Sequence, residues 1–177
     1  MDKPNPFEIN EKELMDFYGY SGTFGKLQLR VKILKSWILH SIAYSSPHPR
    51  IAIFMQRARG VKVGKNCHIS PYVQLDLLYP SKISVGDNVA IGSNSMIFAH
   101  INIGTNLFLK NGKYPRQVMP VTIKSGAWIN PGCIITAGVT IGTNSIVSVG
   151  SVVTNDIPDH CIVAGNPARV IKKIEHE

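Results

Sequence analysis

No stretch of the chain stays apolar for the roughly 18 residues that a membrane-crossing helix needs, which excludes a spanning segment. Cysteine is scarce. Cys67, Cys133 and Cys161 are odd in number, widely spaced and form no CxxC pair, so neither a disulfide framework nor a zinc knuckle is indicated. A reduced, cytoplasmic setting is the expectation. The first residues, Met1, Asp2, Lys3 and Pro4, are polar and unlike a signal peptide. Aromatics make up only 8% and are scattered, giving no stacking platform for nucleic acid. Acidic residues are few: 11 against 19 Lys and Arg, a net charge of +8. That excess suits anionic partners, but it is spread along the chain and forms no nucleic-acid-binding arm. What is plentiful is apolar residues, 44% of 177, enough for one domain with a sizeable core.

Those apolar residues follow a period of six. Ile123, Ile129, Ile135, Ile141, Val147 and Val153 recur without a slip, and Val85, Ile91, Ile97, Ile103 and Val63, Ile69, Leu75 form two further runs. Four places after most of them stands a small residue, such as Ala127, Cys133, Ser145 or Ser151. Gly often follows the aliphatic residue directly, with Asn two places later, as in Gly86 and Asn88. Six is not a helical period and exceeds simple strand alternation. It predicts a short strand and a tight corner, repeated, with Gly and Asn supplying left-handed corner conformations. One such unit cannot bury its own apolar face, so the turns must stack.

Two intervals break the period, ten residues from Leu75 to Val85 and twenty from Ile103 to Ile123. Loops are therefore expected near 76–84 and 104–120, and loops on a rigid scaffold carry function. The second holds Lys110, Lys113 and Arg116 without an acid. It is either a solvated surface loop or a flap that shapes an active site or steers an anionic donor. Residues 1–60 differ in texture from the repeat region, 61–177. Leu27, Val31, Leu34, Ile38 and Ile42 lie at helical spacing among Lys26, Arg30, Lys32 and Lys35, until Pro47 and Pro49 stop the helix. A second short helix is expected from about 50 to 59. The apolar stripe either packs against the repeat or a neighbouring subunit, or lies on a membrane surface as a basic amphipathic helix.

The hexads resemble the repeats of left-handed parallel β-helix acyltransferases, over about residues 60–173. The most specific stretch is 121–173, whose ending Ala164-Gly165-Asn166-Pro167-Ala168-Arg169-Val170-Ile171 resembles the branch that O-acetylates sugars: galactoside, maltose and surface-polysaccharide acetyltransferases. The resemblance implies a mainly β fold, a left-handed β-helix with an N-terminal helical segment, assembled as a homotrimer with sites between subunits. It also implies an acetyl-CoA-dependent O-acetyltransferase, acetyl-CoA serving as co-substrate and no metal being required.

The six histidines are unequal. His40 and His48 fall in the helical part, His68 and His160 in turns, and His176 in the tail, whereas His100 stands three residues after an inward Ile and just before the second loop. The branch places its catalytic His at the end of a segment matched here by Asp76, Tyr79, Pro80, Ile83, Val85, Gly86, Asp87, Asn88 and then Ile97-Phe98-Ala99-His100. The resemblance therefore implies His100 as general base, with Asp76 orienting its ring or holding an acceptor hydroxyl. Ser70 aligns with an acceptor-binding Asn of the family, and Ile101 stands where an acidic or polar residue is common. For the donor, the resemblance carries over Trp128, Val149, Thr154, Asn155, Arg169 and Lys172, the last two toward phosphates. Asn155 replaces a common Lys, and Pro131 a Ser. Two other classes compete: a non-catalytic trimeric β-helix scaffold, and an N-acetyltransferase acting on an amino sugar. A γ-type carbonic anhydrase would need three metal-binding histidines, and His100 has no companion at the required spacing.

Overall fold

Asparagine, proline and glycine set the boundaries of the N-terminal helices. In this computed structural model, which describes residues 5–175, Asn5 accepts a hydrogen bond from the Phe7 N–H at 3.0 Å. Pro6 then opens helix α1 (Pro6–Tyr18), and Gly19 closes it at φ 69°. Helix α2 (Gly22–Ser45) ends before Pro47. Helix α3 (Pro49–Arg59) starts on a proline and stops at Gly60, φ 107°. Residues 1–4, on which the leader expectation rests, and His176 lie outside the described residues.

Helix α2 presents the face opposite to one of the expected alternatives. Gly25, Leu29, Ser36 and Ala43 are buried against the rest of the molecule. Leu27, Val31, Leu34, Ile38 and Ile42 are 43–57% exposed, so the stripe does not pack on the repeat. Gly25 lies against Met15 and Tyr20, where a Cβ would stand 3.1–3.4 Å from them, and Ser36 accepts from Arg59 of α3. No helix among the described residues is long and apolar enough to cross a membrane.

The repeat forms a three-sided prism of parallel strands. One face stacks Lys62–Val63, Ile83–Val85, Val121–Ile123 and Thr140–Ile141. The second stacks His68–Ile69, Ala90–Ile91, Trp128–Ile129, Ile146–Val147 and Cys161–Gly165, on which Ala168–Lys173 folds back antiparallel. The third stacks Gln74–Leu75, Met96–Ile97, Ile134–Ile135 and Val152–Val153. Register is in phase with the repeat: Ile69, Ile91, Ile129, Val147 and Val163 form one inward column, and Leu75, Ile97, Ile135 and Val153 another. Each side chain of these columns is at most 2% exposed. Burying one contributes about 1.5–3 kcal/mol.

Glycine and asparagine play separate parts at the corners. Asn66, Asn88, Asn94 and Asn144, three places after an inward residue, take φ of 52–60°, and Gly126, Gly132, Gly138 and Gly150 hold the equivalent place. The Gly directly after the inward residue is needed for space. A Cβ on Gly142 would stand 2.4 Å from the backbone of Pro158 and Asp159 in the next coil.

Val85 is paired with Ile123, not with Ile103. Ile103 therefore takes no place in the coil. The chain leaves the prism straight after Ala99, and His100–Ile101 pairs antiparallel with Gln117–Val118. Between them lies the short helix α4 (Leu107–Asn111). The excursion thus begins earlier than the hexad count indicates, because a period-matched Ile can occur by chance inside an inserted segment.

Candidate active site

The two interruptions of the repeat emerge from the same edge of the prism, beside one another. The Asp76 N–H donates to Ile97 O at 2.9 Å, so Asp76 starts its loop one coil away from the start of the excursion. This brings the Asp76 Oδ2 within 2.5 Å of the His100 Nδ1. Asp76 is 1% exposed, and all its neighbours donate. Its Oδ1 accepts from the Leu78 and Tyr79 N–H groups, both at 2.9 Å, and its Oδ2 also accepts from Ala99 N–H at 2.9 Å. Burial alone would raise this carboxyl. The His100 hydrogen bond and the Tyr79 and Ala99 N–H groups outweigh it and hold Asp76 below the ordinary carboxylate range.

A carboxylate can only accept, so His100 Nδ1 carries the proton toward Asp76. In the tautomer this fixes, the lone pair is on Nε2. The side chain is 20% exposed, leaving the imidazole reachable, and the Tyr79 ring lies 5.0 Å from it, centroid to centroid.

The three N-terminal helices hold the Asp76 loop by successive carbonyls. From α3, the Arg59 Nη2 donates to Asp76 O at 2.7 Å. From α2, the Ser36 hydroxyl donates to Leu77 O at 2.8 Å. From α1, the Tyr18 hydroxyl donates to Leu78 O. Burial raises Tyr18 to about 12, so it stays a donor. Arg59, itself buried, also donates to Ser36 Oγ at 3.1 Å, Gln56 Oε1 at 2.5 Å and His40 Nδ1 at 3.0 Å.

Helix α1 also clamps the excursion. Glu13 accepts from Lys110 Nζ and from Arg116 Nε, each at 2.7 Å, and the Arg116 Nη1 donates to the Tyr79 hydroxyl at 2.9 Å. The Lys110 and Arg116 side chains are 3% and 8% exposed. They are committed to shaping the flap and do not face an incoming anion. Burial pushes Glu13 up, and the two cations override that and lower it.

The remaining expected site residues fall on two parts of the prism. Thr154 and Asn155 follow the last inward residue of the third face, on the edge that carries Asp76. They line an open groove with Met119, Gly138 and Asp156, and the Met119 N–H bonds Ala99 O at 2.9 Å, next to His100. Stacking is continuous along this edge: Asp76 bonds Ile97, Phe98 bonds Ile135 and Thr136 bonds Val153. Asp76 and Thr154 are thus three rungs apart, about 14 Å. The other residues lie away from that edge. Trp128 and Lys172 share one outward column of the second face, through Ile146 and Ile162. Arg169 pairs with Ala164 on the same sheet, and Val149 is a 71%-exposed corner beyond it. Ser70, just after Ile69, also stands at that second corner, so one chain does not bring it to His100.

A family model described as the hexapeptide repeat of succinyl-transferase matches residues 82–114 and 120–155. The "Putative acetyltransferase YvoF" of Bacillus subtilis (strain 168) is 33% identical over 142 residues, 80% of this chain and 77% of its own length. The chain belongs to the hexapeptide-repeat acetyltransferases. The galactoside O-acetyltransferase of Escherichia coli K12 is 32% identical over 122 residues, which are 69% of this chain but 58% of that enzyme. A galactoside acetyltransferase solved in complex with coenzyme A superposes with a TM-score of 0.63 at 29% identity, covering 83% of this chain and 82% of its own.

In this acetyltransferase the sequence pattern marks Asp76, Tyr79 and His100 but not the supports behind them. Glu13, Tyr18, Ser36 and Arg59 are polar residues on helices, without a spacing that ties them to a loop more than fifteen residues away. Only Arg59 left a signal, as a cation on the face of α3 that also holds the buried Ala52 and Gln56.

Proposed function

We propose that this acetyltransferase moves an acetyl group from acetyl-coenzyme A to a hydroxyl of a sugar or glycan, with His100 as general base. The supporting observation is the buried carboxylate of Asp76 against His100 Nδ1, 2.5 Å away, which leaves Nε2 as acceptor. The acceptor hydroxyl gives its proton to Nε2 as its oxygen attacks the thioester carbon, a contribution of roughly 10²–10⁴-fold. The tetrahedral intermediate collapses, the C–S bond breaks, and the imidazolium returns the proton to the departing thiolate. Asp76 stays ionised throughout and stabilises the imidazolium; no Ser or Cys nucleophile takes part.

The donor residues split between one edge and a distant face, which suits a site completed by a neighbouring copy. In this reading the protein is a homotrimer of left-handed coils. Thr154 and Asn155 of one chain, and Trp128, Val149, Arg169 and Lys172 of the next, hold coenzyme A, the cations meeting its phosphates. Residues 1–60 form the brace and 61–177 the catalytic prism. Sugar specificity follows the named relatives, with Ser70 of the adjoining copy as an acceptor contact.

The test is product analysis. A panel of sugars and nucleotide sugars is incubated with acetyl-CoA, and the acetylated product is challenged with hydroxylamine. An ester, which hydroxylamine cleaves, is expected. An amide that resists it would move the reaction to amino sugars, and no product from any acceptor, with no coenzyme A bound, would favour a scaffold.

A further inference from the structure

Helix α2 carries an apolar face that nothing in the chain covers. Phe24, Leu27, Val31, Leu34, Ile38 and Ile42 are 43–70% exposed, on the side opposite the buried Leu29, Ser36 and Ala43. Residues 24–42 extend about 27 Å along the helix. A lone exposed Leu means little, but a continuous stripe of this length marks an interaction surface. The residues beside it are cationic. Arg30 and Lys35 flank the stripe on its two sides, and over residues 22–59 there are seven Lys and Arg and no acid.

We propose that α2 docks this face on an anionic phospholipid bilayer, lying in the plane of the interface. An apolar stripe bordered by cations matches a bilayer surface, whose acyl region takes the stripe and whose phosphates take the cations. A second copy of the chain is a poorer match. Residues 22–59 carry no carboxylate, and Glu11, which reaches α2, is already paired with Lys26 and Arg30, so a copy meeting α2 through the same face would set cations against cations. The helix does not cross the membrane; its inner face is fixed to α3 and, through Ser36, to the Asp76 loop. The bound bilayer therefore lies against the element next to the active site. Docking does not depend on the reaction proposed above.

Co-sedimentation of the full chain with vesicles tests this. One set is phosphatidylcholine alone, the other equal parts phosphatidylcholine and phosphatidylglycerol. The wild type should bind the mixed vesicles at least about tenfold better, and lose the preference in high salt. Val31→Glu with Ile38→Glu should abolish binding with an unchanged unfolding midpoint, since both positions are exposed. Arg30→Gln with Lys35→Gln should weaken it on anionic vesicles, and reads the charge arm even if the first variant fails to fold. No binding by the wild type overturns the proposal, as does equal binding by all variants. So does a smaller solution mass for the Val31→Glu and Ile38→Glu variant by light scattering, which would show a second copy on the stripe.

Discussion

Asp76 meets four donors with its two oxygens, and that saturation separates its two roles. Asp76→Asn keeps most of the loop but replaces an acceptor facing His100 with an amide that can turn its NH₂ toward Nδ1, favouring the wrong tautomer. The expected result is a fall in kcat of about 10²–10³-fold with little change in KM for acetyl-CoA. Asp76→Ala also takes the acceptor from three N–H groups, those of buried Tyr79 and Ala99 and half-buried Leu78, and should cost about 3–5 kcal/mol of stability by chemical denaturation. His40 gives a different pH signature. Arg59 can only donate to it, so the ring must be neutral, and burial, then the Arg59 charge, lower it to about 4. An unfolded chain takes up that proton near pH 6.5. Stability is therefore complete above about pH 6.5 and falls on the way to pH 4, by about 1–3 kcal/mol. Denaturation at several pH values should show this loss in the wild type and a flatter curve in His40→Gln.

Among elements, the corner is where the hexad signature acquires separate physical meanings. Gly142→Ala drives a Cβ to 2.4 Å from the neighbouring coil and should destabilise by more than about 2 kcal/mol. Asn88→Gly, at φ 57°, should change stability by only a few tenths. Thermal unfolding of the two variants distinguishes close stacking from left-handed backbone. The strands were legible in the sequence because every inward residue serves the same column, and a period of six repeats that demand. Ile103 shows the limit: an inserted segment can mimic the period without joining the stack. The stripe on α2 was equally legible as a stripe, but not its direction. Apolar periodicity says that a face wants covering, whereas small residues such as Gly25 and Ala43 reveal which face reaches the neighbour. The three carbonyl contacts to the Asp76 loop were not legible, since hydrogen bonds from scattered helix positions leave no spacing.

For the whole molecule, the proposed trimer, with coenzyme A held between two chains, would make assembly part of the chemistry. Trimers formed from two impaired chains, one carrying His100→Ala and the other Arg169→Glu with Lys172→Glu, should regain about a quarter of wild-type turnover by random mixing. No recovery would mean that each chain builds its own site. More direct still is coenzyme A release, followed by thiol detection, from acetyl-CoA across the acceptor panel with wild type and His100→Ala side by side. His100 as the base predicts acceptor-dependent release that His100→Ala reduces by at least about 10²-fold while coenzyme A still binds. Equal rates in the two proteins would contradict it.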